Sequence, residues 1–148
     1  MVFKGEFTHA MDAKGRIIVP AKLREQLTGS FVVCKGLDHC LWLLEESEWQ
    51  RIVDELNALP FTVKEARTLV RFLMAGAIDG EMDKQGRVLL SQALREYGAF
   101  GAGEEVVFAG VGNKVEIWNK DKYSEASVLD DDAMDAVAEK LSELGIRL

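Results

Sequence analysis

The chain has 148 residues, 48% of them hydrophobic and 29% charged, with a formal net charge of −7. This composition is globular, and no stretch approaches the roughly 18 apolar residues that a membrane span needs. The opening Met-Val-Phe-Lys-Gly-Glu is not the basic-then-apolar run of a secretory leader, so the expectation is a cytoplasmic protein whose Cys34 and Cys40 stay reduced.

In chain order, Glu6 to Met11 reads as a strand and Arg16 to Val19 as a short β-branched one. Between them lies Asp12-Ala-Lys-Gly15, a tight reversal in which Gly15 takes a positive φ and Asp12 accepts hydrogen bonds from loop N–H groups. Pro20 suits a first helical position, Ala21 to Leu27 a two-turn helix, and Gly29 its stop. Val32 to Lys35 and Cys40 to Leu44 form a strand pair around Gly36-Leu-Asp. Ser47-x-x-Gln50 has the form of a capping box, followed by an apolar stripe of Trp49, Ile52, Val53, Leu56 and Leu59, which Pro60 ends. Thr62-x-x-Glu65 opens another helix, with Val63, Ala66, Leu69, Val70 and Leu73 expected inward. Asp83-Lys-Gln-Gly86 is a second loop, Arg87 to Leu90 a strand and Ser91 a helix cap. Val106 to Ala109 and Val115 to Trp118 then pair around Gly112-Asn113. Met134, Val137, Ala138, Leu141 and Leu144 predict a last, packed helix, with Asp130-Asp-Asp132 at its electropositive N-terminus.

The order of elements repeats because the residues repeat. Asp12-Ala-Lys-Gly-Arg-Ile-Ile-Val-Pro-Ala-Lys-Leu-Arg-Glu25 aligns without a gap on Asp83-Lys-Gln-Gly-Arg-Val-Leu-Leu-Ser-Gln-Ala-Leu-Arg-Glu96, with six of fourteen positions identical. Chance would give about one. Gly5 and Met11 match Gly76 and Met82, and Phe31-Val-Val-Cys-Lys-Gly36 lies over Glu105-Val-Val-Phe-Ala-Gly110. One copy offers too little apolar surface to offset the entropy of ordering it. Two copies sharing a core and closing one small barrel would remove that difficulty.

Charge is divided along the chain. Residues 1–44 carry six Lys/Arg against four Asp/Glu, whereas residues 119–148 carry four against eight. The field at a contact surface decides binding to a polyanion, because charges beyond about 8–10 Å are screened. From Asp12 to Arg24 the balance is +3, and from Asp83 to Arg95 it is +2. Both repeats are therefore locally basic in an acidic protein.

The run from Gly5 to Glu25, together with the second Asp-x-x-Gly-Arg copy, resembles the MraZ family of the AbrB/SpoVT/MazE superfamily, and the likeness covers essentially the whole chain. The resemblance implies an α+β fold: two tandem swapped-hairpin, AbrB-like β-units in one small barrel, flanked by α-helices. The corresponding division is a first repeat with its helix over 1–60, a connecting helix over 61–75, and a second repeat with its C-terminal helix over 76–148. It implies a nucleoid-associated regulator that assembles into a ring of identical subunits. That regulator would bind double-stranded DNA at short tandem promoter repeats upstream of the division and cell-wall gene cluster, its own gene included. Lys14 and Arg16 would be the reading pair. The second copy departs from this, with Gln85 in place of Lys14 and Lys84 in place of Ala13.

On this footing Arg16 and Arg87 are candidates for bidentate contact with a guanine edge. Lys14, Lys22, Arg24, Lys84 and Arg95 are candidates for phosphate contacts, which fix register without carrying sequence. For Arg24 and Arg95 the alternative is a solvated helix face. Cys34, His39 and Cys40 lack a usual zinc spacing and read as core residues, His9 as a strand residue, and Trp42, Trp49 and Trp118 as core or subunit-contact residues. Gly98-x-x-Gly101-x-Gly103 is not a dinucleotide fingerprint, and no nucleophile–base–acid set is visible. Neither an enzyme, a cofactor nor a small-molecule substrate is expected. The competing class is an antitoxin-like interaction module, whose acidic tail would be residues 124–148.

Overall fold

Short β-branched and aromatic runs separated by glycine turns, alternating with helical stripes, build a mixed α+β chain. The computed structural model describes residues 2–127 and 131–147. Met1, Leu148 and Asp130 of the acidic run lie outside the described residues. The first half contains β1 (Phe3–Ala10), β2 (Arg16–Ile18), α1 (Ala21–Arg24), β3 (Phe31–Lys35), β4 (Leu41–Glu45), α2 (Glu46–Asn57) and α3 (Lys64–Ala75). The second half contains β5 (Ile78–Gly80), β6 (Arg87–Leu89), α4 (Gln92–Gly98), β7 (Glu105–Gly112), β8 (Val115–Asn119), α5 (Lys120–Ala126) and α6 (Asp131–Ser142).

All strand pairing is antiparallel, and much of it crosses between the halves. The first strand of each half pairs with the third of the other: β1 with β7, from Phe3↔Gly112 to Ala10↔Glu105, and β5 with β3. The hairpins β3–β4 and β7–β8 join through β4 and β8, giving the order β1-β7-β8-β4-β3-β5. β2 and β6 form a separate two-stranded ribbon. The expected barrel is not closed by hydrogen bonds among the described residues. β1 and β5 remain edges of an open sheet, and the three-residue strands β2, β5 and β6 are too short to bridge it beyond one contact, Met82↔Val88.

One apolar core serves both halves. Phe3, Ile17, Leu23 and Leu41 lie in the same cluster as Val88, Leu94, Phe108 and Ile117, each at most 1% exposed. Full burial of such side chains contributes about 1.5–3 kcal/mol each. Each half supplies only part of that gain.

Several local expectations are corrected. Ser47 does not cap α2: β4 runs directly into the helix, extended Glu45 is the cap residue, the Glu46 N–H bonds the Ser30 carbonyl, and Gln50 bonds Asp54 instead. Thr62 does not cap α3, because a turn from Pro60 to Val63 takes it in and Val63 holds the cap position. Pro20 sits one place earlier than expected, as the cap of α1. Gly29 is not in the left-handed region, whereas in the second half Ala99 takes that role with φ 59°. Ser91 caps α4 as expected, accepting from the Leu94 N–H. In α3 only Leu73 is buried; Val63 and Leu69 are exposed. The packed final helix is also overturned. α6 buries no residue and exposes Met134, Val137 and Leu141, with Leu144 beyond its end also exposed, because the core is already filled by the strands and by α1 and α4.

Candidate nucleic-acid interface

The two Asp-x-x-Gly-Arg turns share one construction. In the first, the Gly15 N–H reaches the Asp12 carbonyl at 3.2 Å and the Asp12 N–H reaches the Arg16 carbonyl at 2.9 Å. Asp12 Oδ1 accepts from the Lys14 and Arg16 N–H groups, both at 2.9 Å, and Oδ2 accepts from Arg16 Nε at 2.7 Å. In the second, Asp83 Oδ1 accepts from Gln85 and Arg87 N–H groups and Oδ2 from Arg87 Nε at 2.6 Å. Gly15 and Gly86 have φ of 79° and 78°, the left-handed geometry that a side chain disfavours. The backbone N–H of Arg16, foremost among several hydrogen bonds, holds the Asp12 carboxyl below the usual aspartate range; Arg87 does the same for Asp83.

Antiparallel pairing places these turns at opposite ends of the β2–β6 ribbon. Ile17 faces Val88, and both are buried at 1% exposure. Side chains alternate along a strand, so Arg16, Ile18, Arg87 and Leu89 share the other, outward face. Leu89 stands opposite Arg16 and Ile18 opposite Arg87. The Arg16 and Arg87 side chains are 26% and 29% exposed. Their carboxylate partners engage Nε, and neither Nη of either arginine has a hydrogen bond among the described residues. A surface ion pair of this kind contributes about 0–1 kcal/mol. It orients the guanidinium without withdrawing it from other ligands, and leaves a pair of donors at the tip.

Arg24 and Arg95 do not simply solvate a helix face. Each crosses to the other half. Arg24 Nη1 donates to the Gln85 carbonyl at 2.9 Å, and a Cβ placed on Gly86 would lie 1.9 Å from it. Arg95 lies over Gly15, where a Cβ would be 2.5 Å from its Nη1, and its buried Nε has no partner. The main chain is knitted the same way: the Leu90 N–H bonds the Gly15 carbonyl, and the Val19 N–H bonds the Gly86 carbonyl. Each turn thus carries its own arginine and a second one from the opposite half. Lys14, Lys22 and Lys84 are exposed, with no side-chain partner among the described residues. Lys14 and Lys84 lie on the turns and Lys22 on α1.

Sequence reasoning passed over Ile18 and Leu89, since a β-branched or aliphatic run reads as core. The available signal was the period of two, which puts residue 18 on the same face as Arg16 and residue 89 with Arg87. The cysteines are core residues: both are buried, and burial pushes their thiols up to about 12. His9 is on β1, edge-on to Phe108. No helix of the described residues is long and apolar enough to cross a membrane.

A family model described as "MraZ protein, putative antitoxin-like" matches the chain twice, over residues 2–72 and 73–141. Similar curated proteins carry the name transcriptional regulator MraZ. One from Clostridium beijerinckii is 49% identical over 145 residues, covering 98% of this chain and 100% of that protein. Another from Carboxydothermus hydrogenoformans is 47% identical over 140 residues, covering 95% and 96%. A third, from Acetivibrio thermocellus, is 45% identical over 145 residues, covering 98% and 100%.

Proposed function

The chain belongs to the MraZ family, and from that premise we propose that it is a transcriptional regulator which reads double-stranded promoter DNA with the outward face of the β2–β6 ribbon and its two turns. The observation that carries the reading is the placement of Arg16 and Arg87 on one exposed face, each fixed by its own aspartate with the Nη pair left over. An end-on pair of donors matches the O6 and N7 acceptors of guanine in the major groove, which admits a two-stranded ribbon. Lys14, Lys22 and Lys84 add phosphate contacts, and Arg24 and Arg95 join them through whatever donors their cross-half bonds leave. The halves act as two tandem swapped-hairpin repeats, 1–60 and 76–148 joined by 61–75, in a barrel-like arrangement. Few cations per chain make single-site binding weak. A ring-shaped homo-oligomer on tandem repeats raises the effective concentration of each further contact. The target is DNA upstream of the protein's own gene and its division and cell-wall neighbours, which places the protein on the nucleoid.

The test is a mobility shift on the DNA just upstream of its gene with one, two and three repeats intact, alongside light scattering for mass. We expect weak binding to one repeat, strong binding to three, and a steep loss with salt. A log–log salt slope near zero on the three-repeat duplex would refute the electrostatic account.

The exposed α6 favours a second reading, the antitoxin-like module. Asp131, Asp132, Asp135, Glu139 and Glu143 accompany its uncovered apolar residues, a pattern suited to a basic protein partner. A chain ending at Ala126 that binds promoter DNA as the full chain does, but loses a purified basic partner, would assign α6 to that role.

A further inference from the structure

A single exposed aliphatic side chain on a protein surface needs no explanation. Ile18 and Leu89 differ from that case in their placement. They are 37% and 60% exposed, and they fill the two positions between and opposite the arginines of the ribbon's outward face. Adjacent strands are about 4.8 Å apart and alternate residues about 6.8 Å apart. The four side chains therefore form a small grid, with arginine and aliphatic alternating at its corners. The local twofold relation of the strands, centred on the Ile17–Val88 pair, repeats the same arrangement from either end.

The surroundings narrow the occupant. Arg16, Arg87, Lys14 and Lys84 border the face or its two turns, so a second copy of the same face would bring like charges together. The fitting ligand is anionic overall, offers paired acceptors about 5–7 Å, or one to two base-pair steps, from an apolar group, and enters a space one ribbon wide. The major groove of DNA has those features: the guanine edge supplies the acceptors, and the thymine C5-methyl supplies the apolar group.

We propose that Ile18 and Leu89 are specificity-determining residues that pack on thymine methyl groups beside the guanines held by Arg16 and Arg87. The inference rests on the DNA-reading function above and adds to it the recognition of thymine.

The experiment compares the three-repeat duplex with one in which every thymine is replaced by deoxyuridine. That change removes the methyl and leaves all hydrogen-bonding groups in place. The proteins are the full chain, Ile18→Ala and Leu89→Ala. The full chain should bind the uracil duplex about fourfold more weakly for each methyl packed on the protein. Leu89→Ala should lose a similar factor on the thymine duplex and respond less to uracil, and Ile18→Ala should behave likewise at its own contact. Indifference of the full chain to uracil overturns the proposal and needs no variant. So does an undiminished uracil penalty in both variants. A change of mass in light scattering, with DNA affinity unaltered, would assign the pair to subunit contact and also overturn it. Absence of salt-sensitive binding to either duplex would remove the DNA-reading function itself, and this inference with it.

Discussion

The two turns of the ribbon are built alike and dressed differently. Asp12 and Asp83 make the same three hydrogen bonds, with Oδ2–Nε distances of 2.7 and 2.6 Å, and the glycines share one left-handed conformation. Between these fixed points the first turn has Ala13 and Lys14, and the second has Lys84 and Gln85. The second turn is also held by a hydrogen bond from Arg24, whereas Arg95 lies over the first without an equivalent bond. Backbone geometry therefore demands the aspartate and the glycine, and the aspartate in turn orients the arginine through its Nε. The two exposed positions between are free of that demand, and they set the lysine at different places in the two turns.

Removing one arginine at a time tests how much each turn contributes to DNA binding. Arg16→Ala and Arg87→Ala should each weaken binding to the three-repeat duplex by about fivefold to 150-fold, the worth of about 1–3 kcal/mol for a bidentate base contact. Melting temperatures should barely move, since each surface pair contributes about 0–1 kcal/mol. If only one substitution matters, a single turn reads DNA. If either collapses the fold, that arginine is structural.

Stability distinguishes the turns next. Gly15→Ala and Gly86→Ala both force alanine into the left-handed region, at about 1–2 kcal/mol. The added methyl meets Arg24 Nη1 at 1.9 Å in the second turn and Arg95 Nη1 at 2.5 Å in the first. Gly86→Ala should therefore lower the urea midpoint more. Adding Arg24→Ala should recover the part due to the clash and none of the part due to φ. Equal losses, without recovery, would mean that the arginines swing aside freely.

Exchanging the residues between aspartate and glycine changes the charge of each turn without touching its scaffold. Lys14→Gln gives the first turn the residue of the second, and Gln85→Lys does the reverse. If Lys14 neutralises a phosphate, its loss should reduce the magnitude of the log–log salt slope by about 0.9 for each contacting turn. The reverse exchange should increase it by the same amount. Slopes unchanged in both variants would place these residues away from the backbone of the DNA.

What the sequence made legible was local, and what it hid was mostly distant. Asp12, Gly15 and Arg16 interact within four residues, so their spacing alone carries the turn. The duplicated pattern then located the second turn at Asp83. Arg24 and Gln85 are 61 residues apart, and no spacing rule connects them. Ser47 and Thr62 fit a capping pattern, yet the strand running into α2 and the turn before α3 moved the helix starts, so tertiary connection overrode a local signal. The stripe on α6 was read correctly as amphipathic but wrongly as packed. Periodicity reports which residues would face a partner, and says nothing of whether this chain provides one.

Proton binding tests whether the turns are equivalent as electrostatic devices. Hydrogen bonds from the arginine's N–H hold both aspartates below their ordinary value of 3.8. A lowered carboxyl stabilises the fold at pH above that ordinary value, and its contribution is lost as pH falls through the lowered folded value. The side-chain carboxyl resonances should show Asp12 and Asp83 each titrating on the acid side of 3.8. Asp12→Asn keeps an acceptor for the loop N–H groups but removes the charge facing Arg16 Nε. It should abolish the acid-side loss at its own turn, leave Asp83 unmoved, and weaken DNA binding less than Arg16→Ala does. A first turn that titrates at the ordinary value while the second stays low would mean that Arg16 leaves its carboxylate in solution. The Asp12 and Asp83 turns would then share a backbone but not a mechanism for aiming the guanidinium.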